Sequence, residues 1–273
     1  MNTASARPAK VSVDAVLTSA LRAFLAFPGP GLAYFALMAV WTCAGSGGGA
    51  LDPASLMAGP SSFDFIVWLA GALLIGWVMC GLARVAIAGV RGEEATWNDT
   101  IVSLSEYFHA ATALGTWITL AMFGFLFFVV PGVLAFLIWS QAFCCAIDFK
   151  ESWTAALGHS RRITRGHHGQ ILGVMFGIAM LFVPGTIVSA SAVWNSAPDL
   201  EALLGSGFPA ASGQAAVAFD PAVVATMLLA AVLGAAAQTA ASYIGAALYV
   251  ALQDVYAAAG PDSAVARNQS SLP

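Results

Sequence analysis

Residues 127–173 read FFVVPGVLAFLIWSQAFCCAIDFKESWTAALGHSRRITRGHHGQILG, and their order sets the pattern for the whole chain. An apolar run meets Pro131-Gly132, resumes to Ile147, and gives way to a charged amphipathic segment ending at Gly166, where a third apolar run begins. The window from Tyr107 to Ile147 holds 41 residues with no Asp, Glu, Lys or Arg. As one straight helix it would be about 60 Å long, twice the hydrocarbon thickness of a bilayer. It must therefore fold back on itself. Pro131 and Gly132 form the only breaker pair inside it, so a helical hairpin is expected to turn there.

Composition extends this reading to the full 273 residues. Hydrophobic residues make up 59% and charged residues 9%, against about 25% charged in a soluble globular domain. Such a chain cannot cover its own surface in water. Backbone groups in hydrocarbon must bond internally, and no period-two alternation marks a barrel, so the apolar windows are predicted to be helices. The formal charge of −4 and the lack of a basic domain leave no case for nucleic acid as a partner. The four cysteines, Cys43, Cys80, Cys144 and Cys145, lie in or beside apolar runs without metal-ligand spacing and read as small packing residues. The first apolar run lies too far from Met1 for a signal peptide, so the N-terminus is expected to be retained.

The predicted fold class is all-α: a polytopic membrane protein with six transmembrane helices and three amphipathic inner-leaflet helices. A polar tail at 1–10 precedes a membrane domain at 11–254, and a flexible tail follows at 255–273. The spans are placed at about 29–45, 64–84, 109–130, 132–148, 168–193 and 221–251. Pro184-Gly185 interrupts the fifth, where a kink is favoured over an end. With six spans, all ten Lys and Arg residues fall on one side. The positive-inside rule then puts both termini in the cytoplasm. Reading 107–147 as a single span would place the most basic loop outside, so charge parity supports the hairpin independently.

The amphipathic helices are placed at about 12–27, 96–108 and 152–165. Each opens with a hydroxyl residue able to cap, namely Ser12, Thr96 and Ser152. Each carries a helical stripe: Val13, Val16, Leu17, Ala20 and Phe24; Trp97, Thr100, Ile101, Leu104 and Phe108; and Trp153, Ala156, Leu157, Ser160 and Thr164. The third stripe weakens at its polar end. The last two copies share a later Val-Pro-Gly, at 130–132 and 183–185. Such helices either lie on the inner leaflet or simply pack between spans.

Spans four and five with IDFKESWTAALGHSRRITRGHHGQIL resemble the segment shared by bacterial six-span YciC-like proteins and by the membrane domain of some glycerophosphodiester phosphodiesterases. Pro131-Gly132, Trp139, Asp148, the Ser152…Ala156-Leu157…Ser160 helix and Thr164-Arg165-Gly166 carry the likeness, together with the opening VSVDAVLTSALRAFLAF. The resemblance implies a six-helix bundle of a bacterial inner membrane. The phosphodiesterase's catalytic barrel needs over 200 residues and has no room here, so no enzymatic role carries over.

Two sets of residues are candidates for function. Lys150, Arg161, Arg162, Arg165, His167 and His168 are placed at the inner headgroup layer, where each cation is worth about 1 kcal/mol near anionic lipid. Ser140, Gln141, Gln238, Thr239 and Ser242 are the deep polar groups, and Gln141 and Gln238 are read either as a pair across a cavity or as hydrogen-bonding groups between helices. A metal at His159, His167 and His168 lacks spaced partners. No Walker loop, HExxH or Ser-His-Asp order is present, and no cofactor is expected. The favoured function is a non-catalytic membrane protein that organises lipids or partner proteins at the cytoplasmic leaflet. A homo-oligomer or a membrane protein partner is compatible with its rows of small residues. The alternatives are a small-solute or lipid transporter and a membrane-embedded enzyme.

Overall fold

The computed structural model describes residues 11–47, 62–196 and 221–259. The loops expected at 45–62 and 195–220 lie mostly outside the described residues, their edges being helical at Gly47, Ser62 and Ser196; the tail at 1–10 lies outside them, and the one expected at 255–273 starts as helix up to Ala259. Within them every regular element is helical: α1 Val13–Ala26, α2 Pro28–Gly47, α3 Ser62–Arg91, α4 Leu104–Phe127, α5 Val129–Trp139, α6 Ala142–Phe149, α7 Trp153–Thr164, α8 His168–Ser196 and α9 Pro221–Ala259, with a 3-10 turn at Trp97–Thr100. Five stretches are long and apolar enough to cross a membrane: Leu69–Arg91, Leu104–Phe127, Val129–Phe149, His168–Ser191 and Val224–Ala258. The count becomes six if α1 and α2, which meet at 93°, are taken as one broken span. The chain is a multi-pass, all-α membrane protein.

The right angle has a local cause. Phe27 leaves helical geometry (φ −144°, ψ 76°) because it precedes a proline, where the α region is disfavoured, while Pro28 suits the first turn of α2. Trp97 wedges under this elbow. Its ring lies 5.6 Å from that of Phe27, and a Cβ at Gly29 would come 2.7 Å from it. The expected helix at 96–108 is therefore not one element. Thr96 caps only the 3-10 turn, its backbone N–H and hydroxyl both 2.8 Å from the Asp99 carboxylate, which holds that carboxyl below its usual range. Leu104 and Phe108 belong instead to the membrane-crossing α4. That helix starts at Ser103 through a reciprocal capping box with Glu106 (3.3 and 3.0 Å). The second hydroxyl-acid pair wins because the apolar run it opens is long enough to span.

The reversal between α4 and α5 takes a single residue. Phe128 is extended (φ −155°, ψ 131°). Pro131 sits in the first turn of α5, where its missing N–H costs nothing. The hairpin thus exists, but it turns at Phe128 and not at Pro131-Gly132. Gly132 has another role: a Cβ there would lie 2.5 Å from the Phe125 nitrogen, and one at Gly124 would lie 2.6 Å from the Gly132 Cα. The two helices cross backbone to backbone. In the other Val-Pro-Gly copy, α8 runs on through Pro184, and a Cβ at Gly185 would sit 3.4 Å from the Gly234 nitrogen of α9. In both copies the glycine marks a close helix crossing, as small residues do in membranes. Gly132→Val should lower stability by about 1–3 kcal/mol through overpacking. Thermal unfolding in detergent micelles checks this.

Packing is uneven along the bundle axis. The buried core gathers Cys80, Leu82 and Ile87 of α3, Cys145 and Ile147 of α6, and Tyr249 and Leu252 of α9. Towards the other end large apolar side chains stay exposed, among them Leu73 and Leu74, Met122 through Val130 in part, Phe176, Ile187 and Leu228. Exposed large apolar surface of this extent marks contact with lipid. The α3 helix outruns its expected end at residue 84. The helix carries Gly89 within it and ends at Gly92, which adopts φ +75°. There the Gly92 and Glu93 amides bond back to Gly89 and Ala88 (3.2 and 3.0 Å), a Schellman ending.

Candidate functional site

Charged groups collect where α3 ends, α4 begins and α6 ends. Arg84 Nη2 lies 2.8 Å from Glu106 Oε2, and Lys150 Nζ lies 3.4 Å from Glu106 Oε1. Arg91 grips Asp148 with both terminal nitrogens, each at 2.6 Å, and Nη2 also reaches Gln253 (2.7 Å). The Tyr249 hydroxyl donates to the same carboxylate (2.7 Å), and the Gln253 amide donates to that hydroxyl (2.7 Å). Asp148 therefore ties α3, α6 and α9 into one knot. A cleft of about 270 Å³ opens beside it, with Arg84, Arg91 and Lys150 facing Glu93, Glu94 and Asp99. The meeting of these three helix ends brings Arg84, Arg91 and Lys150 together.

Above that knot the fourth span is broken. The α5 helix ends at Trp139 and α6 starts at Ala142, with Ser140 and Gln141 between them. The freed backbone groups are met by α7. The Gln141 amide donates to Ser160 Oγ (3.2 Å). The Ile138 carbonyl faces the hydroxyls of Ser160 (2.9 Å) and Thr164 (3.0 Å). Ser160 and Thr164 are fully buried. They are the polar residues that weaken the third stripe, and they form the inward face of α7. Sequence reasoning gave them no role, although two hydroxyls on a stripe facing a Ser-Gln pair in an apolar run were the available signal.

Gln141 is 1% exposed, and its Oε1 lacks a hydrogen-bond partner among the described residues. Gln238, half-buried on α9, meets the Tyr34 hydroxyl of α2. The Gln141 side-chain amide donates to Ser140 Oγ (3.3 Å), so the two glutamines have different partners. Of the basic set, Lys150 is held by Glu106, while Arg161 and Arg162 are exposed on α7. Arg165 is exposed just beyond that helix. His167 bonds to Gln170 (2.7 Å), and His168, half-buried, opens α8. His159 is taken by Glu151 (2.9 Å). Among the described residues no three His, Cys, Asp or Glu side chains converge on a point where they could hold a metal.

A different surface is the most distinctive. On α1 the residues Val16, Ala20 and Ala23 are buried against the bundle, whereas Val13, Leu17, Leu21 and Leu25 form an outward stripe exposed by 42, 46, 59 and 65%. Thr18 and Arg22 run down a third side and are also exposed. A helix with one face on protein, one apolar face open and one polar face suits the boundary between hydrocarbon and water.

These features define a multi-pass helical membrane protein. Comparison with known family patterns, with curated proteins and with solved structures finds no match.

Proposed function

We propose that this chain is a non-catalytic protein of a bacterial plasma membrane, of the YciC-like six-span kind, which engages and organises lipid at the cytoplasmic leaflet. Both termini and the basic segments face the cytoplasm in this reading. One observation carries it: α1 leaves α2 at 93° with four large apolar side chains uncovered. If α2 crosses the bilayer, α1 lies along its surface, and that stripe enters the acyl region. The basic residues Lys150, Arg161, Arg162 and Arg165, with His167 and His168, lie on α6–α8 and the turns between them, and supply the attraction to anionic headgroups. Transport is the weaker reading, because Gln141 and Gln238 have separate partners and the Ile138 carbonyl at the break in span four is already met by hydroxyls.

Spin labels test the placement of α1. With the four cysteines replaced by alanine, labels at Leu17, Leu21 and Leu25 in phosphatidylethanolamine–phosphatidylglycerol liposomes should meet oxygen in preference to a water-soluble nickel chelate. Labels at Thr18 and Arg22 should show the reverse. Equal access of the chelate to all five positions would sink the proposal.

A further inference from the structure

The elbow roofs a cavity. Between α1, α2 and α9 lies a half-open space of about 380 Å³, walled by Phe24, Phe35 and Ile244 among others and edged by Leu32 and by Leu17 and Leu21 of the outward α1 stripe. That volume falls in the range of small-molecule sites and is too narrow for a partner helix. Its polarity is graded along α9. Towards the start of α9 stand Ala236 and Ala240, and the Thr239 hydroxyl is satisfied by the Ala235 carbonyl (2.9 Å). At the end nearer the charged knot stands Tyr243, 2% exposed, whose hydroxyl has no partner among the described residues. Its ring is fixed edge-on to Phe24, with centroids 5.5 Å apart. The hydroxyl lies against Gly31, where a Cβ would come within 3.1 Å of it. Arg22, next in sequence to the cavity residue Leu21, is exposed on α1.

We infer that this cavity binds one acyl chain of an inner-leaflet phospholipid. The groups suit a lipid: an unsatisfied donor for the ester carbonyl stands at one end of an apolar slot for the chain, and Arg22 is exposed on the same helix as the cavity residues Leu17 and Leu21. The inference rests on the placement of α1 in the inner leaflet. A buried hydroxyl without an acceptor is costly, and an ester oxygen supplies the missing one. The slot then holds its chain more tightly than the open apolar face of α8 does.

A phosphatidylglycerol carrying a photoactivatable diazirine in one acyl chain tests this with the full-length protein in liposomes. Peptides of α1, α2 and α9 that line the cavity should be labelled several-fold more than the exposed α8 face bearing Leu172 and Phe176. Ala240→Trp and, separately, Ala236→Phe should bring the cavity labelling down to the α8 level. Labelling of α8 should stay unchanged, which reports an intact fold. A dialkyl ether analogue should compete less well than the diacyl lipid, and Tyr243→Phe should abolish that difference. Equal labelling of both surfaces, or cavity labelling untouched by both substitutions, would overturn the site. Ester and ether lipids competing equally would overturn the role of Tyr243. Spin labels showing α1 within the membrane alongside absent cavity labelling would sink this inference alone.

Discussion

Replacing Asp148 by Asn is expected to be among the most destabilising single changes in the chain, at about 2–4 kcal/mol. The carboxylate receives both Arg91 terminal nitrogens and the Tyr249 hydroxyl, and it draws in Gln253. Its side chain is 10% exposed and that of Arg91 29%. Removing one partner of a buried pair costs about 3–5 kcal/mol because the other charge is left stranded, and the partial exposure of Arg91 lowers that figure. Asparagine keeps the size and shape, so the loss measures charge and not a cavity. Denaturation in mixed detergent micelles gives the free energy. A change within about 0.5 kcal/mol of zero, the usual range for a surface site, would show that the knot holds nothing together. Coupling should be visible in a double-mutant cycle with Arg91→Met, which should cost far less when Asp148→Asn is already in place.

The second large effect is expected at the break in span four. Ser160→Ala combined with Thr164→Val removes both hydroxyls from the Ile138 carbonyl and one acceptor from the Gln141 amide. Each buried group left unpaired costs about 1–3 kcal/mol, so the double variant should lose about 2–5 kcal/mol. Thr164→Ser keeps the hydroxyl and should stay close to wild type. That contrast separates hydrogen bonding from packing. The double variant keeps every methyl and Thr164→Ser gives up one, so an equal loss in Thr164→Ser would show that packing at this position counts as much as its hydroxyl. The double variant should also raise hydrogen exchange at Gln141, which is otherwise sheltered in the interior.

These two sites show how far the sequence could be read. Asp148 was legible as an acid at a span end, because charge avoids hydrocarbon. Its partners were not. Arg91 lies 57 positions before it and Gln253 105 positions after it, and periodicity carries no information across such gaps. The hairpin was legible from length alone, because a helix of about 60 Å cannot stay in a bilayer. Its turning point was not, because Pro131 tolerates the first turn of a helix as readily as it breaks one, and nothing in the type of Phe128 announces extended backbone. The segment at 96–108 misled for a similar reason. Two capping pairs, Thr96 with Asp99 and Ser103 with Glu106, follow closely in sequence, and helical spacing alone does not show which of them opens the long helix. Ser160 and Thr164 read as flaws in an apolar stripe because their purpose lies on another helix.

The one-residue reversal at Phe128 has a practical consequence. A connection with no slack offers a protease no extended segment to seize and an inserted epitope no room to enter. At that end of the bundle the fourth and fifth helices can be neither cut apart nor lengthened without unwinding one of them.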